Sequence, residues 1–416
     1  MNYADKPPVG LLGFCIPAME AMDAIGRPFV SVVPPEFEPY MQENGLEYVT
    51  WDFERVNEKS IQLADDLRAK GVELAMPLYE QTVEWAGALN GEFRNDRKLF
   101  TRYLLFRDKA MMKRRAQMHG IRVGVFEEAD DRDAVRKFFK RVNTAAVKID
   151  GDIEDPIHLK PLDAAGCKGH RMIRALTDID EIRDDEFPCL LETHLHGQEF
   201  SCEVFVHNGK VRFLNITEYV HLGHSNFVPA SPALEERRPQ IQKAVEELVA
   251  AFEIQYGMIH PEFFITPDNV ISFGEVAARV PGGHIFELIE KAYNFNPFVA
   301  FSLAADPATT DAEFEEFFPK VGEHDGYAGC LMVYPRKRVV TRVDVPERLL
   351  EDPYYEKHNL FVPANPKVAE REAFGDHYGT VYFRGDDCER MHDLLREYEE
   401  VDFYNSDAPQ EEQVTA

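Results

Sequence analysis

The stretch Gly257 to Gly283, GMIHPEFFITPDNVISFGEVAARVPGG, brings two carboxylates and an arginine within reach of one another. Its first apolar run, His260 to Thr266, carries Glu262, and a polar turn follows at Pro267-Asp268-Asn269. The second run, Val270 to Phe273, leads to Glu275, then Arg279, then Gly282-Gly283. Two such runs joined by a tight turn form a hairpin, across which Glu262 can face Glu275. Acidic side chains are poor occupants of apolar strands. Two carboxylates held together repel, and one tends to take up a proton. A hard divalent cation resolves the conflict, and Mg²⁺ with a nucleotide phosphate is the usual occupant. Arg279 can reach a transferring phosphoryl group or an oxyanion. An ordinary hairpin with two surface glutamates fits the same residues.

Further groups of this kind lie upstream. In PIHLKPLDAAGCKGHRMIRA a strand from Pro156 ends at Lys160-Pro161. A loop with Ala164, Ala165, Gly166 and Gly169 follows, then a strand from His170 to Ile173. Backbone N–H groups of such a loop can approach an anion closely, and Lys160 can meet the same phosphate as a point charge. The Walker pattern GxxxxGK[ST] is absent. In PCLLETHLHGQEFSCEVFV, Glu192 and Glu199 bracket the link between strands Cys189 to Glu192 and Glu199 to Val206. Such a segment can offer backbone groups to an adenine edge and a carboxylate to ribose hydroxyls, or it is a hairpin with exposed acids. His260 precedes Glu262 by two residues and faces the same side of a strand; it either touches substrate or is a packed histidine. His221, His224 and His260 show no HExxH spacing.

The elements that must position these groups begin with an alternation of strands and helices. Strands are expected at Val9 to Phe14, Phe29 to Val33, Leu46 to Trp51 and Val72 to Pro77, with helices at Cys15 to Met22, Ile61 to Lys70 and Thr82 to Leu89. That order predicts a parallel α/β sheet, with ligands beyond the carboxyl ends of its strands. Glu80 stands there, either holding a substrate ammonium or capping the next helix. A basic helix runs from about Arg107 to Met118 with Lys109, Lys113, Arg114 and Arg115. A smaller unit from Val125 to about Gly197 reads helix, strand, loop, strand, helix, strand. An amphipathic helix from Arg237 to Phe252 feeds the Gly257 stretch.

Composition sets the outer limits. The chain has 416 residues, 44% hydrophobic, with 30 Phe and 16 Tyr, enough for two or three packed units. A formal charge of −28 disfavours nucleic acid and anionic membranes as partners. None of the six cysteines forms a CxxC pair, which suggests neither a zinc site nor a disulfide framework and fits a reduced, cytoplasmic setting. No leader-like start is seen, and no apolar run approaches the ~20 residues that span a bilayer.

Taken in order, these signals resemble the ATP-grasp superfamily, with the best match over Val72 to Asn296. FRDKAMMKRRAQMHGIRV is similar to the entry of that family, which implies that Lys109 is a nucleotide-phosphate lysine. PIHLKPLDAAGCKGH is similar to its lysine strand and mobile loop, implying Lys160 on the phosphates and a Gly166–Gly169 loop closing over the nucleotide. LLETHLHGQEFS resembles the hinge, with Glu192 and the backbone near Leu195 at adenine and Glu199 at ribose. HPEFF…FGEVAAR resembles the metal pair, Glu262 and Glu275, with Arg279 at the acyl phosphate. His260, Glu80, Gly282 and Gly283 are candidate substrate contacts. The implied fold is α/β with α+β elements: an N-terminal Rossmann-like unit over 1–106, a small lid unit with the Gly-rich loop over 107–190, and a larger C-terminal antiparallel-sheet unit over 191–405. An acidic tail fills 406–416.

One position departs from the pattern. The family reads ExNxR at the second metal position, whereas Ala277 stands here where the asparagine ligand would be. Two carboxylates with phosphate oxygens and water can still hold Mg²⁺. The resemblance implies ATP and Mg²⁺, with Mn²⁺ as a substitute, and ligation of a carboxylate to an amine through an acyl phosphate. The layout looks most like L-amino acid ligases that form dipeptides, acting on amino acids or related carboxylates and amines, with a homodimer as the family-level assembly. A biotin-carboxylase-like or purine-biosynthetic ligase is the first rival, and a nucleotide-binding regulatory protein without turnover is the second.

Overall fold

The computed structural model describes residues 3–145, 155–164, 168–368 and 377–406. The first sheet is parallel, with strands β1 (Val9–Leu12), β2 (Phe29–Val33), β3 (Tyr48–Thr50) and β4 (Leu74–Pro77) in the order β3-β2-β1-β4. β1 and β4 are buried along their whole length, as strands covered by helices on both faces must be. β1 stops at Leu12, short of the expected Phe14, because Gly13 turns to φ 108°. The helices Ile16–Ala24, Lys59–Ala69 and Val83–Arg94 pack around it.

A four-stranded antiparallel sheet follows: β5 (Phe126–Ala129), β6 (Ile157–Pro161), β7 (Arg171–Ile173) and β8 (Cys189–Thr193), in the order β5-β8-β6-β7. The Arg132–Ala145 helix covers one face, seating Val135, Phe138 and Phe139 on Ile157, Leu159 and Leu191. The sequence reading opened this unit on a helix, but β5 comes first. Its residues, FEEA, put two acids on an exposed edge strand, so no alternating apolar pattern marks it. The second helix expected there is a 3₁₀ turn, Leu176–Glu181.

The largest sheet has eight strands, all pairs antiparallel. They come from β9 (Gln198–His207), β10 (Lys210–His221), β11 (Ser225–Val228), β12 (Tyr256–Ile265), β13 (Ile271–Ala277), β14 (Tyr327–Met332), β15 (Arg342–Val343), β16 (Tyr355–Leu360), β17 (Gly379–Gly385) and β18 (Tyr404–Asn405). Eight of these run β13-β12-β9-β10-β11-β14-β17-β16, while β15 pairs with β18 alone. Side chains alternate across a strand, and β9 uses this fully. Phe200, Cys202, Val204 and Val206 pack under the Arg238–Ala251 helix with Ile241, Val245 and Leu248. Phe205 joins the helices Ile285–Tyr293 and Pro297–Ala305 on the opposite face, through Phe286, Phe298 and Phe301. Glu199, Ser201 and Glu203 share that opposite face of β9. Among the described residues no helix is long and apolar enough to cross a membrane.

Candidate active site

The hairpin β12–β13 sets Glu262 directly opposite Glu275, the facing arrangement that the sequence allowed. The register shifts by one residue between Glu262 and Phe263, and Gly274 is the extra residue on β13. A Cβ at Gly274 would lie 2.9 Å from the Glu262 carbonyl oxygen, so only glycine lets the strands close there. The bulge turns Glu275 onto the face that Glu262 occupies.

Three lysines converge on this pair. Asp108 caps the Lys109–Met118 helix by accepting from the Met111 N–H at 2.8 Å. Lys109, first in that helix, lies 3.4 Å from Glu275 and donates to the Ala164 carbonyl at 2.8 Å. Its backbone N–H donates to the Leu162 carbonyl at 2.9 Å, so the helix start is tied to the chain just after β6. One turn on, Lys113 is buried against Glu192, and Lys160 of β6 approaches the same carboxylate at 3.1 Å. Burial would raise the Glu275 carboxyl, but Lys109, Lys160 and Lys113 outweigh it and hold it at about 2. Burial likewise opposes the charge on Glu192, and the two flanking ammonium groups hold it below the usual range.

The structure distributes the other candidates unevenly. Glu192, expected at adenine, has its carboxylate between Lys113 and Lys160 instead; the pairing of β6 with β8 sets it beside His158 on the lysine face. Leu195 follows β8, half-buried. Glu199, expected at ribose, shares a sheet face with Glu262. Burial and then the Glu262 charge raise it to about 8, with Lys160 opposing. Gly166 lies outside the described residues. Gly169 takes φ 70°, and a Cβ there would stand 2.8 Å from Pro161 Cγ. Gly282 is exposed, and the Gly283 carbonyl accepts from Asn226 Nδ2 at 3.2 Å.

His260 lies beneath the carboxylate pair. Its Nδ1 is 2.9 Å from Glu203 Oε1, and its Nε2 is 3.6 Å from Glu262. Glu203 is fully buried and accepts from Ser201 at 3.0 Å, Asn215 at 2.6 Å and Thr217 at 2.7 Å. Tyr293 in turn donates to Asn215 at 2.9 Å, and Tyr219 reaches Glu262 at 3.4 Å. Burial would lower the His260 imidazolium, yet its bonds to Glu203 and Glu262 raise it to about 9. The packed reading of His260 and the site reading therefore meet in one residue.

Arg279 is aimed from the N-terminal unit. Glu80 accepts from Arg279 Nε at 2.8 Å and from Arg107 at 2.6 Å, so it neither stands free for an ammonium nor serves only as a cap. Arg107 continues to Glu84 at 3.7 Å, Glu84 to Arg55 at 3.9 Å, and Arg55 to Asp163, two residues beyond β6. The sequence reading missed Lys113 as a site group, Glu203, Tyr219 and the row His170–His158–His194, in which the central His158 meets His170 at 2.7 Å and His194 at 2.9 Å. For Glu203 a signal was present: Glu199, Ser201 and Glu203 alternate with apolar residues along one strand.

Residues 154–287 match the ATP-grasp domain. An L-arginine-specific L-amino acid ligase of Bacillus subtilis is 24% identical over 238 residues, which cover 52% of this chain and 54% of that protein. The match thus spans about half the length of this curated relative. The crystal structure of an L-amino acid ligase from Bacillus licheniformis superposes with TM-score 0.73 at 18% identity, covering 94% of this chain and 97% of that one. A carboxyaminoimidazole ribonucleotide synthase from Aspergillus clavatus, complexed with ATP, gives 0.69 at 18% identity over 95% and 99%.

Proposed function

We propose that this chain, which has the ATP-grasp fold and carries an ATP-grasp domain, is an ATP-dependent carboxylate–amine ligase that joins two amino acids. The observation that carries the reading is the in-register pair Glu262–Glu275 facing Lys109, Lys113 and Lys160. An all-oxygen donor pair suits Mg²⁺, and Ala277, opposite His260, adds no ligand atom. Glu262 and Glu275 would hold the ion, which when bound supplies positive charge against the phosphates.

The side chains of this protein account for the remaining demands. Lys109 and Lys160 bind phosphate oxygens, with Glu192 keeping Lys160 and Lys113 in place. A substrate carboxylate oxygen attacks the γ-phosphorus, the bond to the β-phosphate oxygen breaks, and ADP departs. The amine nitrogen of the second substrate attacks the carbonyl carbon of the acyl phosphate. Arg279, aimed by Glu80, stabilises the oxyanion that forms there. The C–O bond to phosphate then breaks, the nitrogen loses its proton, and the amide remains. The lid loop, held at its root by Lys109, keeps water from the acyl phosphate.

The test is phosphate release from ATP and Mg²⁺ against the amino acids singly and in pairs, with mass spectrometry of products. A product equal to the sum of two amino acids minus water establishes the ligase and names its substrates. Ala277 favours one rival, a nucleotide-binding protein without turnover. ATP binding with no amino-acid-dependent release, unaffected by Glu275→Gln, would favour that rival.

A further inference from the structure

β10 ends on His221, the turn to β11 carries His224 three residues on, and Glu399 at the end of the Cys388–Glu399 helix comes to meet them. One ligand atom from each lies within 4.8 Å of the others. His221 Nδ1 contacts Glu399 Oε1, and His224 Nδ1 stands 3.8 Å from the same oxygen. Ions bonded at about 2 Å to imidazole and carboxylate hold their ligand atoms roughly 3.3 Å apart, so a small rotation of one ring brings the three onto a shared centre. The rings now lie stacked, with centroids 4.3 Å apart.

The surroundings hold these groups in place. The turn is closed by the His224 N–H donating to His221 at 2.9 Å, and Met332 N–H donates to the His224 carbonyl at 2.7 Å. Tyr334 Oη donates to the Gly223 carbonyl at 2.8 Å. Ser225 Oγ holds the other carboxylate oxygen of Glu399 at 3.3 Å, and Arg336 fixes the Glu399 backbone carbonyl at 2.6 Å. Such supporting bonds orient metal ligands in built sites. Glu399 and His224 are only 15% and 22% exposed, while His221, at 55%, leaves an entry path.

We propose that His221, His224 and Glu399 bind a transition-metal cation of the zinc(II) class, separate from the Glu262–Glu275 pair. Two imidazoles and one carboxylate select zinc, cobalt or nickel over magnesium, which takes oxygen ligands. Three protein ligands leave one position for water. The ion fastens the last helix to the β10–β11 turn, and β11 is the strand whose Asn226 holds Gly283. The site stands independently of the ligase reading.

The experiment uses the untagged full chain, stripped with a chelator and dialysed against Zn²⁺ in excess Mg²⁺, with bound metal measured per chain. The wild type is expected to keep about one zinc ion and to melt at higher temperature with it than without. His221→Ala, at an exposed position, and Glu399→Gln are each expected to weaken binding tenfold or more while ATP turnover stays unchanged in His221→Ala. Cobalt(II) in the wild type should give the visible absorption of a low-coordinate site, lost in His221→Ala. Wild type that retains no zinc, or His221→Ala that retains it undiminished, overturns the proposal; so does loss of the zinc on Glu262→Gln alone, which would put the ion at the carboxylate pair.

Discussion

Glu203 and His260 are joined by a 2.9 Å hydrogen bond beneath the carboxylate pair, and the other nitrogen of the same ring lies 3.6 Å from Glu262. Glu203 is fully buried and meets the carboxylate pair through His260. Removing one partner of a buried charged pair leaves the other without compensation, at a cost of about 3–5 kcal/mol. Glu203→Ala should lose stability of that order in urea unfolding. Glu203→Gln should fold and need more Mg²⁺ for half-maximal turnover. Unchanged Mg²⁺ dependence in that variant would make the contact purely structural.

Replacing either carboxylate of the in-register pair should abolish most turnover and spare the fold. Glu275→Gln and Glu262→Gln are each expected to lower ATP turnover roughly 10²-fold or more, measured by phosphate release at saturating Mg²⁺. Wild-type rates in either variant would place the phosphates elsewhere.

Glu80, in the 3₁₀ turn after β4, reaches Arg279, two residues beyond β13. Freed from it, the guanidinium would wander, and small misplacements at a reacting centre cost up to about 10²-fold. Glu80→Gln should lower kcat and leave the KM for ATP in place, since no nucleotide contact is altered. An equal rise in KM for ATP would contradict this assignment.

Gly169 adopts φ 70° against Pro161. Alanine there would pay about 1–2 kcal/mol for a left-handed backbone and press on the proline ring. Gly169→Ala should disturb lid closure, which would show as more phosphate released per amide bond formed. A coupling ratio equal to wild type would show that the hairpin absorbs the change.

The four-stranded β5–β8 sheet should respond to acid. Burial, then the charges of Lys160, His170 and His194, lower His158 to about 3, and burial followed by Lys160 lowers His170 to about 4. Unfolded histidine titrates near 6.5. A folded value below the unfolded one gives stability that is complete above about pH 6.5 and is lost as pH falls toward the folded values. Between pH 7.5 and 5 the melting temperature of the wild type should therefore fall further than that of His158→Gln. Parallel curves would mean the row does not contribute.

Local pattern carried the hairpin, the lysine strand and the parallel sheet, because apolar periodicity and turn residues lie close together in the chain. Val270 to Glu275 shows the limit of that reading: spacing put Glu275 on the hairpin, while the face it occupies depends on the Gly274 bulge. Partners set by long-range pairing were not legible. Lys160 and Glu192 are 32 residues apart, and only the β6–β8 register shows that the glutamate serves the lysines. Glu80 and Arg279 are 199 residues apart and meet through the packing of two units. β5 was missed because an edge strand with two acids carries no apolar alternation.

The alternating charges from Asp163 through Arg55, Glu84, Arg107 and Glu80 end on Arg279. The Arg55 end is 69% exposed to solvent, whereas Glu80 and Arg107 are largely shielded. Added salt screens exposed charges over about 8–10 Å and spares sheltered ones. Ionic strength thus acts on one end of the series only, loosening Asp163 from Arg55 of the N-terminal unit while leaving the grip on Arg279 intact. A salty medium and a dilute one would find Arg279 held in the same place, beside a loop tethered with different tension.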